Sequence, residues 1–157
     1  MSGKEHEYVS RLVWEGNPGE GTASYERYGR RFRIEVGGKP DLAGSADPMF
    51  RGDRALHNPE DLFLAAIASC HMLSYLALCA RNGVRVMSYE DEARGTLQFD
   101  AKGGGRFTEV TLTPRVTVAA GSDLALAREL HEEAHETCYV AGSCNTPIHH
   151  RATVTTA

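Results

Sequence analysis

The chain has 157 residues, of which 41% are hydrophobic and 24% charged, with a formal charge of −4. That length fits a single domain over 1–157 with a proper core, and the slight negative charge excludes the basic footprint of a nucleic-acid binder. The polar opening Met1-Ser-Gly-Lys-Glu-His-Glu is no secretory leader, so a cytoplasmic setting is expected, where the four cysteines are reactive, metal-binding or packed rather than structural disulfides.

The first 57 residues read as strands and turns. Tyr8 to Trp14, Ala23 to Tyr28 and Phe32 to Val36 are candidate strands. Gly16-Asn-Pro-Gly19 is a turn, and Asp41 to Leu56 is an irregular loop rich in Gly, Pro and Asp. Asn58-Pro59 then opens a helix: Asn suits the cap, Pro the first helical position, and Glu60 and Asp61 the positive end of the dipole. It runs to about Arg81 and stops at Asn82-Gly83. Leu62 to Cys79 carries no formal charge and reaches the lower length limit for a membrane span. Ser69, His71, Ser74 and Tyr75 inside it, and charges at both ends, favour the centre of a soluble core instead.

Val84 to Phe99 reads as β, followed by a glycine turn. Val110 to Val118 alternates as a half-buried strand, with Pro114 on the apolar face marking an edge or bulge. Ser122-Asp123 opens a second helix. Leu126, Leu130, Ala134 and Cys138 fall four apart, so Cys138 continues its apolar stripe until Gly142 ends it. His149 to Thr156 is a last strand. The order βββ-α-ββ-α-β is an α+β pattern.

Chemistry centres on the thiols. At about 100° per residue, Cys70 and Cys79 lie roughly half a turn out of phase and face opposite sides of their helix. Cys138 is the better partner for Cys70, since both lie on apolar stripes, although free cysteine is also among the residues most often simply packed. Cys70 lies beyond useful reach of its helix dipole, so a thiolate there needs a cation, and Arg27, Arg30 and Arg31 are candidates. Glu60 can hold such an arginine through a bidentate pair. His131-Glu-Glu-Ala-His135 matches the H-E-x-x-H pattern of zinc hydrolases. It lacks a downstream third ligand, and two surface or interfacial histidines are the plainer reading.

The segment Asn58-Pro-Glu-Asp-Leu-Phe-Leu-Ala-Ala-Ile-Ala-Ser-Cys70-His-Met-Leu-Ser-Tyr-Leu resembles the signature helix of the OsmC/Ohr family of thiol-dependent hydroperoxide reductases. Tyr25-Glu-Arg27 is similar to the family's N-terminal strand, and Gly44-Ser-Ala-Asp-Pro48 and Arg51-Gly-Asp53 to its connecting loop. Val110-Thr-Leu-Thr-Pro-Arg-Val116 resembles the first strand of its second half, and His131 through Ser143 its second-cysteine helix. The resemblance implies an intertwined homodimer in which strands of both chains wrap two central helices, with active sites at the interface. It implies Cys70 as peroxidatic thiol, Cys138 as resolving thiol, and Arg27 and Glu60 as activators. Tyr28-Gly29 departs from the pattern, and Arg30 and Arg31 compete for the arginine role. Cys144 is either a spare resolving thiol or packed. Leu62, Phe63, Ile67 and Met72 would form an apolar lining for an organic hydroperoxide. No metal or other cofactor is expected, only an external dithiol reductant. A zinc hydrolase and a non-catalytic binding module remain the alternatives.

Overall fold

The computed structural model describes residues 3–157. Its contacts divide the chain into two compact units, Met1–Leu62 and Phe63–Ala157, where composition predicts one domain. The division falls inside the first long helix, one turn from its start.

In the first unit, β1 (Arg11–Trp14), β2 (Phe32–Glu35) and β3 (Leu42–Gly44) form an antiparallel sheet in sequence order. The strand expected over Ala23 to Tyr28 is a run of turns instead. Its cause is Arg30, whose guanidinium stacks over Tyr28 (3.8 Å to the ring centroid) and Tyr25 (4.5 Å). The same group donates to the backbone carbonyls of Tyr25 (2.6 Å) and Tyr28, which closes the turn. Leu42–Gly44, expected as loop, supplies the missing third strand. Gly16 and Gly29 cross so closely that a Cβ on Gly16 would lie 1.8 Å from the Gly29 carbonyl oxygen.

Helix α1 (Pro59–Arg81) starts as its sequence predicts. The Asn58 side chain accepts from the Asp61 N–H (2.8 Å), and the Asp61 carboxylate accepts from the Asn58 N–H (3.2 Å), a reciprocal cap. It ends at Gly83, where φ is +73° and the Val84 N–H donates back to the Cys79 carbonyl at 2.9 Å.

The second unit holds six strands: β4 (Val86–Glu90), β5 (Arg94–Phe99), β6 (Gly105–Leu112), β7 (Arg115–Val118), β8 (Ile148–His150) and β9 (Thr153–Thr156). The α+β class holds, but strands outnumber those the periodicity predicts, because each of three β stretches bends once and feeds two sheets. One sheet is β4-β7-β9 and the other β5-β6-β8, with β6–β8 and β7–β9 parallel. Pro114 is the joint of the middle stretch. It has no N–H to leave unpaired, and its carbonyl accepts from Thr153 at 2.8 Å. The Asp91 carboxylate takes the neighbouring Thr113 N–H at 2.7 Å.

Helices α2 (Leu124–Thr137) and α3 (Tyr139–Gly142) follow β7. Asp123 caps α2 by accepting from Leu126 N–H at 3.0 Å. Two core clusters result. Tyr75, Leu78 and Cys79 of α1 pack with Val116, Val118, Val154 and α2's Ala127, Leu130 and Ala134. Ile67 packs with Val110 and Leu112 of β6.

The contact of α1 with α2 is polar at its centre. The Tyr75 hydroxyl donates to the Ala127 carbonyl at 2.9 Å, and the Tyr75 ring stacks on His131 at 3.8 Å. His71 Nε2 and His131 Nδ1 share a hydrogen bond at 3.1 Å, and both residues are 1% exposed. The expectation of a surface or interfacial His131 is thus corrected: α2 turns this residue inward with Ala127, Leu130 and Ala134.

Burial, reinforced by nearby His150 and His135 and opposed by Glu132, pushes His71 down to about 4. Burial, with His71 and His150, pushes His131 down to about 3. The unfolded chain takes up protons near pH 6.5 that the folded protein refuses, so this stability is complete above that pH and lost as pH falls towards 4. His71 alone accounts for roughly 3 kcal/mol over that window, a large share of a stability of about 5–15 kcal/mol. The urea midpoint is therefore expected to rise from pH 4.5 to 6.5 and then level off, with a shallower rise in His71→Gln. A midpoint constant over that range would show that these imidazoles are not held neutral.

Candidate active site

The second unit brings Cys70 and Cys138 together. Cys70 lies mid-way along α1 and keeps partial exposure, whereas Cys138 is 2% exposed. Cys138 does not continue α2 as a helical residue. Its backbone is extended (φ −72°, ψ 111°), and it is at once the C-cap of α2 and the N-cap of α3. The four-residue apolar spacing therefore carries Cys138 to the core but misses the break that turns its thiol towards α1. Its sulfur accepts from the Ala141 N–H at 3.5 Å.

Both are free thiols, and Cys70 acts directly on the Cys138 thiol. Burial pushes the Cys138 thiol up, and both the hydrogen bond with Cys70 and negative charge on Cys70 push it further. The Ala141 and Val140 N–H groups pull the other way without reversing the direction.

The other two cysteines stand apart. Cys79 is 1% exposed in the Tyr75 cluster, where burial pushes its thiol up. Cys144 is half-buried at the far end of α3 and donates to the Ala141 carbonyl at 3.6 Å.

The first unit gathers Arg30 and Glu60. They line a cavity of about 220 Å³ together with Phe32, Asp47, Phe50 and Pro59. Arg27, the arginine carried over by resemblance, lies outside that lining. It is 64% exposed and pairs with Glu20. Arg31 pairs with Glu15 at 3.2 Å. A sequence signal for Arg30 existed in Tyr25-x-x-Tyr28-x-Arg30, a spacing that lets two rings and two carbonyls hold one guanidinium.

Of the four apolar residues expected to line a substrate site, Ile67 is 0% exposed and locked between Val110 and Leu112. Phe63 stacks on Phe107 at 4.9 Å between centroids. Leu62, Phe63 and Met72 retain surface.

The H-E-x-x-H segment does not have the geometry of a zinc hydrolase. His131 Nδ1 is taken up by His71, while Glu132 is 74% exposed and reaches His150 at 3.4 Å. Among the described residues, no group of three or more His, Cys, Asp or Glu is placed to hold a metal ion.

Residues 52–152 match the family of OsmC-like proteins. The solved structure of an OsmC-like protein of unknown function from Vibrio cholerae is 30% identical. It covers 95% of this chain and 100% of its own, with a TM-score of 0.86. An organic hydroperoxide resistance protein from Elizabethkingia anophelis is 16% identical, with 98% of this chain and 99% of that chain covered at a TM-score of 0.69. At such identity the likeness shows the fold. The uncharacterized protein YmaD of Bacillus subtilis is 26% identical over 87 residues, 54% of this chain and 57% of that relative's length. The family match over Cys70 and Cys138, and a 30% identical relative covered end to end, make this chain a member of the OsmC/Ohr family.

Proposed function

We propose that the protein reduces organic hydroperoxides through Cys70, with Cys138 as the resolving thiol. The observation that carries this reading is the meeting of two free thiols from different helices, Cys70 partly exposed and Cys138 buried. Structures of the same fold named as organic hydroperoxide resistance proteins support it. Cys70 thiolate attacks the distal oxygen of the hydroperoxide. The O–O bond breaks, leaving sulfenic acid on Cys70, and the departing alkoxide takes a proton to become the alcohol. The Cys138 sulfur then attacks the Cys70 sulfur, the hydroxyl leaves as water, and a disulfide forms. An external dithiol, in a cytoplasmic setting, returns both thiols by exchange. No step requires a metal, haem or flavin. The apolar surface of Leu62, Phe63 and Met72 favours an organic peroxide over hydrogen peroxide.

Arg30, rather than Arg27, is the better candidate to act with Glu60, because the two share a cavity. Ten residues along one helix put Glu60 about 15 Å from Cys70, too far to act within a single chain. The reading therefore requires a homodimer, in which the Arg30–Glu60 pair of one copy serves the Cys70 of the other. α1 supports this arrangement. It has a mean hydropathy of 1.9 over its most apolar stretch, of which only 22% is buried. Leu73 is 62% exposed, and Ala65, Ala66 and Ser69 lie open beside it. A second copy covering this stripe removes it from water without a membrane.

Cys70→Ser is expected to abolish turnover of an organic hydroperoxide with a dithiol reductant while leaving the fold intact. Wild-type activity in that variant would end the peroxidase reading. Cys138→Ser should consume about one peroxide per site and then stall as sulfenic acid. A Cys70–Cys144 bond as the main oxidised product in the wild type would reassign the resolving thiol. Arg30→Gln should slow turnover about a hundredfold, as loss of one charge-stabilising group does, with Arg27→Gln within a few-fold of wild type; the reverse order would restore Arg27. Sedimentation is expected to give a dimer at micromolar concentration and a monomer for Leu73→Glu. A monomeric wild type would contradict the shared site.

A further inference from the structure

We infer that His71 and His131 are positioning residues, whose hydrogen bond sets the register of α1 against α2 in which Cys70 and Cys138 can close a disulfide. The inference rests on the reading of those thiols as a redox pair.

Two side-chain hydrogen bonds join the two helices, Tyr75 to Ala127 and His71 to His131. The members of each helix stand four residues apart and the orders run oppositely, so the helices are antiparallel and the two bonds are successive rungs. Cys70 is the residue before His71 on α1, and Cys138 is the C-cap of α2, seven residues after His131. A slip or rotation that breaks the imidazole rung therefore moves each thiol with its helix. Disulfide closure tolerates little displacement, because the S–S bond needs a narrow range of separation and torsion.

The imidazole rung is costly, which argues for a role beyond filling space. His71 Nδ1 and His131 Nε2 are buried with no hydrogen-bond partner, and each such nitrogen weakens the fold. Leucine or phenylalanine would fill the volume without that cost. An apolar contact would not fix an axial register, whereas a 3.1 Å hydrogen bond between two ring nitrogens does. Between two neutral imidazoles one ring donates where the other accepts, so the bond holds the two facing nitrogens at hydrogen-bond distance. His150 and His135, the other histidines at the cluster, and the exposed Glu132 surround the pair without replacing the bond.

The test is the equilibrium of the purified protein with oxidised and reduced glutathione, read as the fraction of Cys70–Cys138 disulfide by mass spectrometry. Each protein dithiol that closes passes two electrons to one glutathione disulfide and releases two glutathione thiols. His71→Phe and His131→Phe are expected to lower this equilibrium constant tenfold or more at pH 7. His131→Gln, whose amide can still bond His71, should remain within about threefold of wild type, a coupling below the usual range. Leu130→Ala, a cavity on the same helix, destabilises α2 packing without touching the rung and should also leave the constant within about threefold. If the phenylalanine variants do not fold, His71→Leu and His131→Leu carry the same expectation. Equal constants in wild type and apolar variants, or an equal fall in Leu130→Ala, overturn the inference. Because no peroxide is used, failure of peroxide turnover would leave this result intact and would bear only on the proposed function.

Discussion

Helix α1 is apolar through almost its whole length, and within the second unit both sheets are organised around it. Its half-turns serve different neighbours: Ile67 faces Val110 and Leu112, while Tyr75, Leu78 and Cys79 face the valines of the other sheet and the small residues of α2. Burying each large apolar side chain is worth about 1.5–3 kcal/mol, so these contacts dominate the unit's stability. The three bent β stretches follow from the same demand. A flat sheet could cover only one side of a helix. Strands that bend at Asp91, Pro114 and Arg151 present one half to each end of α1.

Against that apolar background the line from Tyr75 through His71 is unusual. Each buried polar atom there is either paired across to α2 or left without a partner. Such groups are expensive in a low-dielectric interior. The two hydrogen bonds hold α1 and α2 at a defined separation, which apolar packing does less sharply. Cys70 adjoins His71 on α1 and Cys138 caps α2, so both thiols are carried by the helices that form this core. That arrangement puts Cys70 where it retains surface and Cys138 where it does not.

The surroundings of the three candidate arginines depend on how the chain turns at Arg30. Tyr25-Glu-Arg27 resembles a strand motif of the family, and a strand would point Arg27 to the same side as Tyr25. The chain instead turns, because Arg30 captures two rings and two carbonyls. Arg27 is thereby left with Glu20 on the surface. Stacking and hydrogen bonding to a planar guanidinium outweigh the weak strand propensity of a six-residue stretch.

Much was fixed by local sequence. Asn58-Pro59 and Gly83 set the bounds of α1, because capping and positive φ are decided by neighbouring residues. The alternation of Val110, Leu112, Val116 and Val118 set their inward face, because strand period is a local property. The signature around Cys70 identified the family. What only the tertiary structure decided lay in contacts between distant segments. Whether three β stretches make three strands or six depends on which sheet each half finds. That His131 is buried depends on the partner waiting for it 60 positions earlier in His71. That Cys138 leaves the helix to meet Cys70 depends on the turn into α3, which its own apolar spacing does not record. Periodicity reports which face of an element is dry. It carries no information about which polar group stands opposite, and the site here is built from such opposite groups.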